Sequence, residues 1–273
     1  MSRIAERFRA CRAAGRTALI PYMTGGDPSP ERTVDLMHAL VAGGADVIEV
    51  GIPFSDPMAD GPVIQAACVR ALEAGTTPEQ LCEAVRRFRE DDPETPVVFM
   101  GYANILEAAG YEAFVERAAT AGVDGLLTVD LPPEEAGELP AWARMHGLDL
   151  IYLVAPNTTD ERMQQVCSAG GGFIYAVALK GVTGAANLDT ERVAQQVARI
   201  RTATTLPVAV GFGVRDPQSA AALAPCADGV VVGSALVRMI GEHGNAPDLP
   251  ERLRDAVLAL RRAMDEQTTG VGS

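Results

Sequence analysis

The chain has 273 residues, 48% of them hydrophobic and 22% charged, and its 23 Lys and Arg against 36 Asp and Glu give a net charge of −13. This composition excludes global disorder and collagen-like structure, and without a basic, aromatic-rich stretch nucleic-acid binding is not expected. No apolar run reaches the ~20 residues of a membrane span. The first 16 residues carry five arginines and no continuous apolar segment, so neither a membrane anchor nor a secretory signal is expected.

In chain order, residues 1–16 read as an amphipathic helix with Ile4, Phe8 and Cys11 on one stripe. An apolar run at 18–23 predicts the first strand, and Asp27-Pro28-Ser29 starts a helix over 30–42. The second strand is predicted at 47–50. A Pro-rich segment follows it, then an extra helix over 63–72 before Thr77-Pro78 opens the helix around 81–89. Strands at 97–101, 125–129 and 150–154 alternate with helices at 111–121, 133–146 and 159–169, the first two ended by Gly122 and Gly147. A sixth strand at 173–178 leads into a long glycine-containing segment over 179–189. Helices at 189–202 and 216–223, strands at 208–211 and 229–233 and a last helix at 249–265 complete the pattern, with 268–273 expected as a frayed tail.

Eight strand-then-helix units predict a single-domain (β/α)8 TIM barrel over residues 1–273, with an added N-terminal helix and a helix inserted after strand 2. The alternative is a doubly wound open sheet, but no G-x-G-x-x-G follows the first strand. Five widely spaced cysteines read as reduced thiols of a cytoplasmic protein, and the three scattered histidines offer no metal-ligand spacing, so no metal is expected.

Glu49 stands in the apolar run Val47-Ile48-Glu49-Val50. If Ile48 and Val50 face the helices, Glu49 points into the barrel, where burial raises a carboxyl pKa toward the range useful for proton transfer. The other reading is a Glu paired with a polar group on a neighbouring strand. Asp60, in Met58-Ala59-Asp60-Gly61-Pro62, is either a helix cap or a second carboxylate facing the same pocket. Glycine-rich turns follow strands six, seven and eight: Gly181-Val182-Thr183-Gly184, Gly211-Phe212-Gly213 and Gly233-Ser234, the last opening a helix. Together they suit a phosphate held by backbone N–H groups and a helix end, which needs no basic patch. Tyr22, Met100, Tyr102, Leu127, Leu153, Tyr175 and Phe212 fall near strand ends, as core or as the lining of a flat aromatic pocket.

The run from Ile48 to Pro62, with Tyr175 and the three glycine turns in the same order, resembles the tryptophan synthase α subunit family over nearly the whole chain. The resemblance implies retro-aldol cleavage of indole-3-glycerol phosphate to indole and glyceraldehyde 3-phosphate. It implies Glu49 and Asp60 as the catalytic pair and Gly184, Phe212, Gly213, Gly233 and Ser234 around the phosphate. Tyr22, Met100, Leu127, Leu153, Tyr175 and Thr183 would surround the rest of the substrate, with Tyr102 counted in the same pocket. It also implies a β-subunit partner in an αββα heterotetramer, met through Pro53, Phe54, Asp56 and Pro57. Pyridoxal phosphate is expected only in that partner, with no cofactor in this chain. Ala178 and Lys180 stand where many members carry a serine nearby, and Tyr22 where phenylalanine is common. A stand-alone lyase releasing free indole, another phosphate-binding barrel and a non-catalytic activator of β are the rival readings.

Overall fold

The apolar runs form strands β1 (Ala18–Thr24), β2 (Ile48–Gly51), β3 (Val97–Gly101), β4 (Gly125–Thr128), β5 (Asp149–Val154), β6 (Ile174–Val177), β7 (Val208–Gly211) and β8 (Gly229–Val232). Each pairs in parallel with the next, and β8 pairs back to β1 through Ala18↔Gly229, which closes the barrel and rules out the open sheet. The computed structural model describes residues 2–177, 189–211 and 213–269.

Twelve helices surround the barrel among the described residues: α1 (Arg3–Ala13), α2 (Thr33–Ala42), α3 (Pro62–Glu73), α4 (Pro78–Asp91), α5 (Ala103–Ala109), α6 (Tyr111–Ala121), α7 (Leu139–His146), α8 (Asp160–Ala169), α9 (Thr190–Arg201), α10 (Pro217–Leu223), α11 (Ser234–His243) and α12 (Leu249–Thr269). Their starts follow the local chemistry. Thr77 and Gln80 form a reciprocal capping box ahead of α4, with Pro78 in its first turn, where a missing N–H costs nothing.

Three expectations change. The helix predicted over 133–146 is a 3-10 turn at Pro133–Glu135 followed by α7, because Gly137 takes a left-handed φ of 51° that interrupts the spiral. The seven-residue α5 was not foreseen, being too short to show a period. The last helix runs on to Thr269, past the expected end at 265 and into the expected tail; buried Met264 and the Arg261–Asp265 pair anchor its final turns.

Two apolar layers result from strand alternation. Ile48 and Val50 pack outward with the helices, while Val47 joins the barrel interior with Ile20, Val98, Leu127, Ile151 and Ala209. Helix α1 closes the N-terminal end of that interior. Its stripe of Ile4, Phe8 and Cys11 is buried there, with the Phe8 ring 5.5 Å from that of Phe173. The plugged end leaves the C-terminal mouth as the open one. No helix among the described residues is long and apolar enough to cross a membrane.

Candidate active site at the barrel mouth

Glu49 follows from the alternation on β2. Its register partner on β1 is Tyr22, and its side chain is 1% exposed. One carboxylate oxygen, Oε1, is buried with no hydrogen-bond partner among the described residues, so that oxygen is not paired with a neighbouring strand there. Desolvation, reinforced by the nearby charge of Asp60, pushes its pKa up to about 8.

Asp60 lies at the end of the Pro-rich segment leading from β2 into α3. The N-cap of α3 is Gly61, and no side chain caps it, so the cap reading of Asp60 does not hold. Its carboxylate instead accepts a hydrogen bond of 2.8 Å from the Tyr102 hydroxyl, and Gln65 donates to its backbone carbonyl at 2.9 Å. Partial burial raises the Asp60 pKa, while the Tyr102 hydroxyl opposes that rise. Among the described residues, Glu49 Oε1 has no such donor. The two carboxyls are therefore pushed apart, with Asp60 the readier to ionise and Glu49 the readier to stay protonated.

A pocket at the mouth is lined by both carboxylates together with Tyr22, Met100, Tyr175, Gly213, Gly233 and Ser234. Ile64 from the inserted helix, Val214 and Val231 complete the described lining, and it includes no cation. Those three were not singled out from the sequence; inward alternation on β8 could have found Val231, whereas Ile64 needs the pose of α3. Leu127 is in register with Met100 and Leu153 with Tyr175; both belong to the same barrel-interior cluster but are not part of the described lining. Tyr102 is buried behind Asp60, its ring stacked on Phe54 at 5.3 Å. Thr183, Gly184 and Phe212, with Ala178 and Lys180, lie outside the described residues.

The strand-end glycines have a steric reason. A Cβ at Gly51 would collide with the Tyr22 hydroxyl, and one at Gly211 with the Tyr175 hydroxyl. Burial drives both phenols well above their usual range, so both stay neutral. The Tyr22 hydroxyl lies 3.3 Å from Thr24 Oγ1, within the barrel wall.

In the same pocket lining, α11 begins at Ser234 with Gly233 as N-cap and no capping side chain, while Gly213 takes a positive φ of 87°. Uncapped N–H groups of a ten-residue helix beside a glycine turn suit an anion in a pocket whose described lining has no lysine or arginine. The arrangement can therefore hold a phosphate ester at one side and move protons at the other. No group of His, Cys, Asp and Glu among the described residues could hold a metal ion.

Comparison with known proteins points the same way. The family model for the tryptophan synthase alpha chain matches residues 8–268. The chain is 82% identical over 270 residues to the tryptophan synthase alpha chain of Halorhodospira halophila (strain DSM 244 / SL1), with 99% of each chain covered. It is 59% identical over 266 residues to that of Thioalkalivibrio sulfidiphilus (strain HL-EbGR7), covering 97% of this chain and 100% of the relative. Among solved structures, tryptophan synthase subunit alpha from Legionella pneumophila str. Paris superposes with a TM-score of 0.90 at 43% identity, covering 97% of this chain and 99% of that one. A Mycobacterium tuberculosis tryptophan synthase chain gives 0.87 at 40%, covering 96% and 98%.

Proposed function

The chain belongs to the tryptophan synthase alpha chain family, and from that premise we propose that Glu49 and Asp60 carry its reaction. The enzyme is a carbon–carbon lyase that cleaves indole-3-glycerol phosphate into indole and glyceraldehyde 3-phosphate. Breaking the bond from indole C3 to the side chain needs a proton delivered to C3 and another removed from the hydroxyl on the carbon being released. Glu49, protonated at neutral pH, donates the first and as carboxylate accepts the second. As the hydroxyl proton leaves, its oxygen becomes the aldehyde oxygen. The electrons of the broken bond return to the ring and neutral indole departs, so the proton count balances and Glu49 ends protonated. Between these steps the ring nitrogen carries positive charge, which an ionised Asp60 accepting from the ring N–H stabilises.

We place the phosphate at Gly213, Gly233 and Ser234, with Gly184 and Phe212 completing the site and Thr183 beside the substrate. The uncapped start of α11 supports this placement. Tyr22, Met100 and Tyr175, which line the pocket, are assigned to the indole and glycerol parts, with Leu127, Leu153 and Tyr102 around them. The closed barrel running from α1 to α12 supports reading 1–273 as one domain, and the five free thiols support a cytoplasmic setting.

A tryptophan synthase alpha chain implies a β-subunit partner. We assign its contact to Pro53, Phe54, Asp56 and Pro57, in an αββα assembly whose pyridoxal phosphate belongs to β, with no cofactor in this chain. Met58 in the same segment is 81% exposed, which fits a surface that a partner covers.

The observation that carries the reading is the buried Glu49 oxygen, unpartnered among the described residues, at the same pocket as Asp60 and an uncapped helix. Indole release by purified Glu49→Gln is the test. The expected result is a rate lower by about 10³-fold with phosphate-ligand binding retained; turnover at the wild-type rate would overturn the assignment.

A further inference from the structure

We propose that Asp130 is a positioning residue for the lyase reaction: it fixes the backbone at the start of α5 and so sets the direction in which Tyr102 presents its hydroxyl to Asp60. The inference rests on the reading of Asp60 given above.

The links run across three loops at the barrel mouth. Beyond β4, the Val129 N–H bonds to the Gly101 carbonyl at 2.9 Å, which lays the segment after β4 along the end of β3. The next residue, Asp130, accepts the Ala103 N–H at 2.7 Å through Oδ1. That N–H is among the first of α5, a helix whose own N-cap, Tyr102, supplies no capping side-chain bond. Asp130 thus provides from another loop the acceptor that a Ser or Asp would ordinarily supply locally.

Pinning the Ala103 N–H pins the peptide between Tyr102 and Ala103, and hence the direction of the Tyr102 side chain. Its ring is clamped against Phe54 with an interplanar angle of 29°. The hydroxyl is committed in both directions, accepting from the Ala59 N–H at 3.1 Å and donating to Asp60 Oδ2 at 2.8 Å. With its one proton on Asp60 and a lone pair on Ala59, a small swing of the ring breaks both bonds. Asp130 itself is exposed and stands apart from the pocket lining, so any effect on turnover passes through these bonds.

The test is steady-state cleavage of indole-3-glycerol phosphate by the full chain, comparing Asp130→Ala, Asp130→Asn, Tyr102→Phe and the double variant Asp130→Ala/Tyr102→Phe. Misplacement of one catalytic group should lower kcat of Asp130→Ala by about 3- to 10-fold with KM within about twofold. Asp130→Asn should keep about half or more of wild-type kcat, because an amide oxygen still accepts the Ala103 N–H. The double variant should be no slower than Tyr102→Phe, since both act on one linkage. Wild-type kcat in Asp130→Ala, equal losses in the Ala and Asn variants, or losses that multiply in the double variant would each overturn the proposal. Asp60→Asn separates this proposal from the reading beneath it. Full turnover there removes Asp60 from the chemistry and the proposal with it, whereas a slow Asp60→Asn beside a wild-type-like Asp130→Ala overturns the proposal alone.

Discussion

At the closed end of the barrel, Asp46, Asp124 and Asp228 stand just before β2, β4 and β8. Each accepts a backbone N–H from the start of the preceding strand: Leu19 at 3.0 Å, Val97 at 2.8 Å and Val208 at 2.9 Å. Each also has arginine beside it. Arg16 and Arg261 meet Asp46, Arg3 and Arg89 meet Asp124, and Arg12 and Arg201 meet Asp228. At the open end, Glu49 is as buried as Asp46, but among the described residues it has an oxygen with no partner and no cation in the lining of its pocket. One end uses arginine-paired carboxylates to fix strand register; at the other, Asp27 is likewise paired with Arg70, but Glu49 is desolvated with no counter-charge in the described lining. In a TIM barrel that division separates the stabilising face from the reacting face. Six arginines thus serve the closed end, while the described lining of the pocket at the mouth holds no cation.

The largest expected effect breaks the comparison at the mouth. Glu49→Gln should cost about 10³-fold in indole release, a barrier increase of about 4 kcal/mol, yet should stabilise the fold. The folded chain holds the Glu49 proton up to about pH 8, whereas an unfolded chain releases it near the ordinary 4.5. Between those values the folded state binds more protons, so the contribution of Glu49 to stability falls as pH rises and levels off above about 8. At pH 7 the cost is about 3 kcal/mol. Urea unfolding should therefore find Glu49→Gln more stable than wild type at pH 8 and nearly equal at pH 4.5. Lower stability at pH 8 would mean that Glu49 has partners and that the two ends are alike.

The opposite substitution belongs to the closed end. Asp124→Ala strands the Val97 N–H and leaves Arg89, only 11% exposed, without its carboxylate at 2.7 Å. Removing one partner of such a buried pair costs about 3–5 kcal/mol. Denaturant midpoints should fall accordingly, while kcat of the folded fraction stays within about twofold, because nothing in the pocket touches Asp124. A turnover loss matching that of Glu49→Gln would erase the distinction.

A third, milder test leaves the sequence alone. If Glu49 must begin protonated, kcat/KM should be level at neutral pH and fall above about pH 8, tenfold per unit. In Glu49→Gln the residual rate should show no such limb. A basic limb near 10 would assign it to another group.

Much of this division is visible in the residues. Alternation alone turns Glu49 inward, because Ile48 and Val50 must meet the helices. The glycine turns announce themselves by following apolar runs. The closed end was also written in the chain, as Gly44-Ala45-Asp46-Val47-Ile48, Gly122-Val123-Asp124-Gly125-Leu126 and Cys226-Ala227-Asp228-Gly229-Val230. That threefold pattern of Asp just before an apolar run is easily passed over as loop polarity. What no local pattern could supply are contacts made across loops. The Tyr102 hydroxyl finds Asp60 only when the segment after β2 folds over the end of β3, and Ile64 reaches the pocket only through the pose of α3. Helix α5 falls below the length at which a period can be read, and its cap comes from a different loop.

The smallest expected effect concerns Tyr22, where a phenolic hydroxyl joins the mouth without joining its chemistry. The hydroxyl lies against Gly51 and 3.3 Å from Thr24 Oγ1, and Thr24 is fully buried. It is thus a polar group answered by the protein itself, as at the closed end, although it sits among the lining of the open one. Tyr22→Phe removes one such bond, worth about 1 kcal/mol, and leaves the ring in the pocket wall. Stability measured by urea midpoint should fall by about that amount, and kcat and KM should each stay within about twofold. If instead KM rose about tenfold with stability unchanged, the hydroxyl would be a substrate contact, and position in the barrel rather than satisfaction of hydrogen bonds would be what separates working groups from structural ones.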